Sequence, residues 1–226
     1  MRTQDLVSLA ASALLVGLMA IAPYLYYRYS LEHTKRLRPI VDGRLYRSGC
    51  LTADGFRDAI KRHGIKTVVT FWDENPDPML RKNRFSRAAT RESELCQSLG
   101  ADFRYIFVEV SAQQYAPGSH IRAIDEFLAL MDDEASYPVL IHCKAGLHRT
   151  GVMAAIYRME YDGWTREQAM RELRAHGFGH HTANASNDYI LQYVLTYKPR
   201  RERGAATPAV PATPVALRRP GLALAD

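Results

Sequence analysis

The chain has 226 residues, of which 47% are hydrophobic, and a formal net charge of +6. This length suits one globular domain with flanking segments, and the hydrophobic content excludes a wholly disordered chain. Positive and negative side chains balance between Ile40 and Lys198, so the excess charge lies in the flanks. A nucleic-acid-binding domain would carry that excess on its folded body, and we expect no nucleic-acid partner. The three cysteines are too few for a disulfide framework, which favours a reducing compartment.

The first predicted element is an apolar helix at the amino terminus. The run Leu6–Tyr27 has no charged side chain, and its length as a helix, about 33 Å, is enough to span a bilayer. Basic residues follow it, and the positive-inside rule then places the rest of the chain in the cytoplasm. A cleaved signal peptide is the alternative, because Ala20–Ala22 resembles a cleavage site, but Pro23 disfavours cleavage there. We predict a single-pass membrane anchor at residues 1–28.

The remaining chain divides by composition into three parts. A juxtamembrane linker is predicted at residues 29–39, a folded domain at 40–199 and a tail rich in Ala and Pro at 200–226. The tail has no apolar period, so we expect it to be disordered or polyproline-like. Such a tail could bind a proline-reading partner, although a plain spacer is the simpler interpretation.

Within the domain, helical and strand patterns alternate. The predicted helices cover 52–63, 85–99, 119–131, 150–161, a segment that starts with the capping box Thr165–Gln168, and 187–197. The predicted strands cover 66–72, 102–110 and 138–141. The last of them is continuously apolar and should be buried on both faces. This order predicts an α/β fold with a central, mainly parallel sheet flanked by helices.

The segment that carries the chemistry is Val139–Gly151, which reads Val-Leu-Ile-His-Cys-Lys-Ala-Gly-Leu-His-Arg-Thr-Gly. It joins the carboxyl end of a buried strand to the start of a helix, where free backbone N–H groups form a cradle for phosphate. The helix start favours the reactive thiolate form of Cys143, which we predict to be the nucleophile. Arg149 offers a planar fork for two phosphoryl oxygens.

The other residues of the segment have supporting roles. The Thr150 hydroxyl can hydrogen-bond the thiolate, and Gly146 and Gly151 allow the backbone to turn its amides inward. Lys144 and His148 add positive charge, which favours highly charged phosphates. The predicted substrate-binding residues are His142, which orients the loop from behind, Lys144, Ala145, Gly146, Leu147, His148 and Gly151.

The pattern His-Cys-x5-Arg-Thr-Gly at His142–Gly151 resembles the protein tyrosine phosphatase superfamily, and its late position resembles the dual-specificity branch. The similarity covers about residues 40–197, and Gly43–Gly49 and Gly64–Val69 are similar to bacterial members of this branch. Low-molecular-weight tyrosine phosphatases and arsenate reductases carry their Cys near the amino terminus and fit poorly. The resemblance implies hydrolysis of phosphoric monoesters through a phosphocysteine intermediate, with no metal or other cofactor.

The family mechanism also needs a general acid, usually an Asp about thirty residues before the Cys. The region at that distance contains no Asp, and Ser111 and Gln113, which fall nearest, are not acids. Asp73 and Glu74, at the end of an earlier strand, and Glu109, in the predicted strand 102–110, are the acids that could reach the site, and Asp73 and Glu109 are the preferred candidates. Asp125 fits a solvated helix face better.

Three substrate hypotheses follow from these residues. The first is a phosphorylated protein, and the second is a phosphoinositide, because Cys-Lys-Ala-Gly also opens the loop of phosphoinositide phosphatases. Leu147 stands where those enzymes have a second Lys, so that match is partial. The third is a phosphate-binding protein without activity, which the intact Cys143, Arg149 and Thr150 disfavour.

Two further features have simpler interpretations. The basic stretch 81–91 could hold an anionic membrane or a phosphopeptide, but a solvated helix face explains it. A zinc site from His142, Cys143 and His148 has the wrong spacing for paired ligands.

Overall fold

The structure is a computed structural model that describes residues 3–30, 34–72, 79–109, 115–179 and 185–203. Within these ranges the strands are β1 (Arg38–Val41), β2 (Leu45–Gly49), β3 (Thr67–Thr70), β4 (Met79–Arg81), β5 (Ala89–Arg91), β6 (Asp102–Tyr105) and β7 (Val139–Cys143). The α-helices are α1 (Thr3–Tyr29), α2 (Ala53–His63), α3 (Glu92–Ser98), α4 (Arg122–Asp132), α5 (Arg149–Tyr161), α6 (Arg166–Ala175) and α7 (Ala185–Thr196). Short 3₁₀ turns cover Glu134–Ser136 and Arg200–Glu202.

The central sheet has the strand order β1-β2-β7-β3-β6. β1 and β2 form an antiparallel hairpin at one edge, which the sequence patterns did not predict, and the other neighbouring pairs are parallel. β7 lies at the centre and is buried at every residue, as its continuous apolar character predicts. The predicted α/β fold with a mainly parallel sheet is confirmed.

Side chains of β7 alternate between two cores, one on each face of the sheet. Ile141 packs with Phe127 of α4 in the larger core, which also takes in α5, α6 and α7. Leu140 packs with Phe56 of α2 in the smaller core, which also takes in α3. Because successive side chains of a strand point to opposite faces, each face of β7 is covered by helices.

Two predicted helix starts are confirmed by their caps. The Thr52 hydroxyl accepts a hydrogen bond from the Gly55 N–H at 3.2 Å, and α2 is closed by Gly64 with a positive φ of 62°. Thr165 and Gln168 form the predicted capping box at the start of α6. Each cap satisfies backbone groups that a helix end otherwise leaves unpaired.

The predicted helix 85–99 is wrong in its first half. The chain instead forms a hairpin of β4 and β5, and helix α3 begins only at Glu92. Within the turn the Asn83 side chain accepts hydrogen bonds from the N–H groups of Phe85 and Ser86. Such local bonds compete with a helix, so the basic stretch 81–91 lies on a hairpin and not on a helix face.

The predicted strand 102–110 is shorter than expected. It ends at Tyr105 because its neighbour β3 ends at Thr70, the residue that pairs with Tyr105. Beyond that point the chain continues without strand pairing to residue 109, where the described part stops.

Both ends of the domain extend further than the composition predicts. Residues 34–37 pack against the domain, and Arg36 contacts the loop that follows β7. At the other end, Arg200 forms ion pairs with Asp132 and Glu160, at 2.6 and 2.7 Å. The described residues that pack into the domain therefore begin at residue 34 and end at residue 203, and the tail beyond 203 lies outside the described residues.

The amino-terminal helix α1 has no contact that buries its apolar side chains. Its stretch Gln4–Tyr27 has a mean hydropathy of 2.2 and none of it is buried in the protein. By length and composition this stretch is able to cross a membrane, and a signal sequence would have the same properties.

Candidate active site

The loop that follows β7 occupies the place that the sequence predicts for it. β7 delivers His142 and Cys143 to the carboxyl edge of the central sheet, and α5 begins at Arg149. Cys143 is buried, with 5% of its surface exposed. The loop therefore lies between the end of a central parallel strand and the amino terminus of a 13-residue helix, where backbone N–H groups and the helix dipole favour an anion.

Three successive carbonyl groups on the outer side of the loop are each held by a donor. The Lys144 oxygen accepts from the Cys50 N–H at 3.2 Å. The Ala145 oxygen accepts from the Arg36 guanidinium and the Gly146 oxygen from the Arg47 guanidinium, both at 3.0 Å. A donor from a different part of the chain thus fixes each of these peptide groups.

The orientation of these carbonyls sets the orientation of the amides. In a planar trans peptide the N–H of the next residue points opposite to the carbonyl, so the amides of residues 145, 146 and 147 turn to the inner side of the loop. The Gly146 N–H donates to Cys143 Sγ at 3.2 Å, which shows this arrangement directly. The loop presents aligned donors to its own thiol and to any oxyanion placed beside it.

Gly146 is the residue that permits this packing. It has a positive φ of 73°, and a Cβ atom built there would lie 2.5 Å from both the Ser48 oxygen and the Gly49 nitrogen. Both contacts are with backbone of β2, so no side-chain rotation would relieve them. Gly151 is also crowded, because a Cβ there would meet Leu173 at 2.6 Å and Arg47 at 3.3 Å.

The cations of the loop gather at one aromatic side chain. The guanidinium of Arg149 lies 5.4 Å from the centroid of the Trp72 ring, and the Lys144 ammonium lies 4.9 Å from it. Arg149 also donates to the Phe71 carbonyl at 3.2 Å. Trp72 follows β3, so the neighbouring strand supplies a surface that holds both cations at the mouth of the loop.

His142 supports the loop from behind through a buried carboxylate. Its Nε2 lies 2.5 Å from Glu92 Oε1, and its ring packs edge-on against Phe56 at 5.1 Å. Both partners of the pair are buried, with 0% and 8% of their side chains exposed. Glu92 is the first residue of α3, so this pair ties α3 to the strand that carries Cys143.

Thr150 is fully buried at the start of α5, and its hydroxyl has no hydrogen-bond partner among the described residues. The predicted hydrogen bond to the Cys143 thiolate is therefore not made in this structure. The remaining loop positions are mixed in character. Leu147 is buried, and the His148 ring packs edge-on against the Phe178 ring, with 5.3 Å between the ring centres.

One group of side chains has the chemistry of a metal site. Ligand atoms of Cys50, Glu92 and His142 lie within 4.8 Å of one another. However, two tetrahedral zinc ligands at about 2.0–2.1 Å from the ion lie about 3.3 Å apart. The 2.5 Å contact between His142 and Glu92 is a hydrogen bond with no space for an ion between its atoms.

Two of the candidate general acids, Glu109 and Asp125, lie among the described residues. Glu109 is half-buried just beyond β6, at the same edge of the sheet as Cys143, and its backbone oxygen accepts from the Tyr193 hydroxyl at 3.0 Å. Asp125 lies on α4 and approaches His120 at 3.5 Å, which fits a solvated helix face. Asp73, Glu74, Ser111 and Gln113 lie outside the described residues.

No pattern in the sequence predicts the residues that hold the loop from outside. Arg36 lies in a segment predicted to be a linker, and Arg47 reads as a surface charge although only 2% of it is exposed. Burial and, to a lesser extent, repulsion from Arg38 lower the pKa of Arg47 to about 10, although Glu172 opposes the shift. Glu92 lies in the stretch predicted as a helix, where no pattern indicates that its carboxylate is buried. The stretch Leu45–Gly49 contains no pattern that distinguishes Arg47 from a surface arginine.

Comparisons with known proteins agree with this geometry. The family model described as DSP-PTPase phosphatase fused to NAD+ kinase matches residues 29–188. The dual specificity protein phosphatase TpbA of Pseudomonas aeruginosa is 48% identical over 46 residues, which are 20% of this chain and 21% of that protein. The protein tyrosine phosphatase PRL-1 of Trypanosoma cruzi is 31% identical over 85 residues, 36% of this chain and 46% of that protein. The chain thus spans about a fifth to a half of the length of these curated relatives.

A similar fold occurs in a solved structure. The catalytic core of Siw14 superimposes with a TM-score of 0.53 at 16% identity, covering 74% of this chain and 87% of that chain. At this identity the likeness concerns the fold. Together with the family match, it confirms the resemblance to the protein tyrosine phosphatase superfamily that the loop sequence indicates.

Proposed function

This chain belongs to the family of DSP-PTPase phosphatases fused to NAD+ kinase, and we propose that it removes phosphoryl groups from a phosphorylated protein. The reaction proceeds through a phosphocysteine intermediate. The observation that carries the proposal is the Gly146 N–H that points at Cys143 Sγ from 3.2 Å, inside a loop whose amides face inward. Such a site stabilises both a thiolate and the equatorial oxygens of a transferring phosphoryl group.

The reaction has two steps that balance in atoms and charge. The Cys143 thiolate attacks phosphorus, and the S–P bond forms as the ester P–O bond breaks. The leaving oxygen takes a proton from a general acid. Water then attacks the phosphocysteine and gives a proton to the conjugate base of that acid, so the S–P bond breaks, inorganic phosphate is released, and both the thiolate and the acid are restored. Arg149 binds two phosphoryl oxygens with its planar fork in both steps.

Glu109 and Asp73 remain the candidates for the general acid. Glu109 follows β6 and Asp73 follows Trp72 after β3, and these are parallel strands whose carboxyl ends share an edge of the sheet with Cys143. Ligands of parallel sheets bind at that edge. Replacing the true acid should slow alkyl phosphates more than aryl phosphates, because an aryl oxide leaves without full protonation.

The similarity to TpbA, which is a dual specificity protein phosphatase, supports a phosphoprotein substrate. A phosphoinositide is the second candidate, because Lys144 is exposed beside Trp72 and adds positive charge at the mouth. One solved structure of Siw14 from S. cerevisiae is described as a PP-IP phosphatase, so inositol pyrophosphates belong in the substrate panel.

We also propose that α1 anchors the enzyme in a membrane with the phosphatase domain in the cytoplasm. The uniformly exposed apolar surface of Gln4–Tyr27 and the basic residues after it support this topology. Membrane extraction with alkaline carbonate distinguishes an integral anchor, which stays in the pellet, from a cleaved signal sequence, which leaves a shorter soluble chain.

The function is tested by measuring phosphate release by the full chain in detergent. The panel contains phosphotyrosine and phosphoserine peptides, short-chain phosphoinositides and an inositol pyrophosphate, with Cys143→Ser as the matched control. We expect hydrolysis of the phosphotyrosine peptide that the variant loses. Equal release by both proteins would refute the thiol mechanism, and preferred hydrolysis of an inositol compound would replace the proposed substrate.

A further inference from the structure

The segment between α1 and β1 is attached to the active-site loop. Residue 34 is only five positions beyond the end of α1, and the Thr34 hydroxyl donates to the Ser30 carbonyl at 3.1 Å. A tight turn follows, in which the Leu37 N–H donates to the Thr34 carbonyl at 2.7 Å. This turn points two consecutive residues, Lys35 and Arg36, at the loop region.

Both residues of the turn have unusual backbone angles. Lys35 has a φ of 33° and Arg36 has a φ of 65°. Residues other than Gly rarely adopt positive φ angles. Such conformations persist when surrounding contacts determine them, and they occur often at functional sites. The contacts here are specific, because the Lys35 carbonyl accepts from the Gly49 N–H at 2.8 Å and the Lys35 side chain covers Gly49.

Arg36 acts on the one peptide group that matters most for the nucleophile. Its guanidinium donates to the Ala145 carbonyl at 3.0 Å. The same peptide group carries the Gly146 N–H, which donates to Cys143 Sγ at 3.2 Å. Because the peptide is planar, a donor on its oxygen fixes the direction of its N–H.

We propose that Arg36 is a positioning residue for the phosphatase loop, which holds the Ala145–Gly146 peptide with its N–H toward Cys143 and the bound phosphate. The proposal rests on the proposed function of that loop. It also means that the segment next to the apolar helix is a structural part of the active site and not a passive linker. Arg36 contacts no reacting atom itself.

The test compares Arg36→Ala and Arg36→Gly with Arg44→Ala in the full chain in detergent. Arg44 is a matched arginine in the turn between β1 and β2, paired with exposed Glu134 at 2.6 Å, and no hydrogen bond joins it to the loop among the described residues. The measurements are kcat/KM for an aryl phosphate, the inhibition constant of inorganic phosphate, and the thermal midpoint. Arg36→Gly relieves the backbone strain, so it keeps the test valid if the Ala variant folds poorly.

We expect both Arg36 variants to lower kcat/KM about tenfold and to weaken phosphate inhibition several-fold, since one charged hydrogen bond orients the amide. Arg36→Lys should recover part of this loss, because an ammonium still offers a donor. Arg44→Ala should change neither value. If Arg36→Gly folds and matches Arg44→Ala in both values, the proposal is refuted.

A binding measurement separates this proposal from the proposed function. Inorganic phosphate is titrated into Cys143→Ser and into the double variant Cys143→Ser/Arg36→Gly by calorimetry. We expect the double variant to bind phosphate several-fold more weakly, even if no substrate of the wild-type enzyme has been found. Equal affinities would refute the positioning role whether or not the chain is a phosphatase.

Discussion

The two sides of the active-site loop are built from different parts of the chain. The inner side consists of Cys143, Arg149 and the amides of the loop itself, all from one continuous segment. The outer side is held by groups from distant segments, among them Arg36, Arg47 and the Cys50 N–H. The groups proposed to carry the chemistry are therefore local in the sequence, whereas the shape of the loop depends on contacts from segments about a hundred residues away.

The largest effect should come from Gly146, where the inner and outer sides of the loop meet. Gly146→Ala places a Cβ 2.5 Å from backbone atoms of Ser48 and Gly49, at a φ of 73°. We expect a loss of about 2–4 kcal/mol in the free energy of unfolding, from overpacking and a strained backbone together, and at least a hundredfold loss of kcat/KM. Urea unfolding and steady-state kinetics measure the two quantities.

Gly43→Ala is the matched control for this variant. It has a similar φ of 69°, but nothing lies within 4 Å of its added Cβ. Gly43→Ala should lower the free energy of unfolding by about 1 kcal/mol, which is the backbone strain alone, and should leave kcat/KM unchanged. Equal losses in the two variants would show that crowding against β2 is not what makes Gly146 necessary.

The next largest effect should come from the buried guanidinium on the outer side. Arg47→Met removes the donor to the Gly146 carbonyl at 3.0 Å and fills the space with an apolar chain. We expect kcat/KM to fall at least tenfold, because the Leu147 amide is then free to turn away from the phosphate. Arg44→Met, on the same hairpin, should retain activity, and an Arg47→Met enzyme with wild-type kcat/KM would contradict the role given to Arg47.

A smaller effect is expected from the hydrogen-bonded pair of Glu92 and His142, which lies behind Cys143. Glu92→Gln keeps the shape of the side chain but replaces the carboxylate that contacts His142 at 2.5 Å. We expect a loss of about 1–3 kcal/mol in unfolding free energy and a several-fold lower kcat, because the charged hydrogen bond becomes neutral. Glu94→Gln, exposed on the same helix, should change neither. A Glu92→Gln protein as stable as Glu94→Gln would refute this contribution.

The smallest effect concerns pH. Burial lowers the pKa of His176 below its usual value, repulsion from Arg38 and Arg47 lowers it further, and Glu172 opposes the shift. A base with a lowered pKa in the folded state binds fewer protons than in the unfolded state, so stability falls as pH drops below about 6.5. His176→Gln should reduce the loss of thermal midpoint between pH 7.5 and 5.5. An unchanged loss would show that other groups cause it.

The inner side of the loop was predictable from the sequence because one motif contains it. The strand, Cys143, Arg149 and Thr150 are separated by fixed, short distances, and helix and strand periodicity placed them correctly. The outer side was not predictable, because Arg36 and Arg47 lie about a hundred residues from the carbonyls they bind. Nothing in a local pattern distinguishes them from surface arginines. The hairpin at Met79–Arg91 was missed because side-chain hydrogen bonds of Asn83 override a helical pattern.

The central claim is that the inner side of the loop accepts a phosphoryl group on Cys143. The most direct measurement is a rapid quench of the full chain and a phosphotyrosine peptide in alkaline detergent, where the S–P bond survives, followed by mass spectrometry of the fragment that contains Cys143. We predict one added phosphoryl group on Cys143 during turnover, and none in Cys143→Ser. Substrate hydrolysis with no phosphoryl group on Cys143 at any quench time would contradict the account.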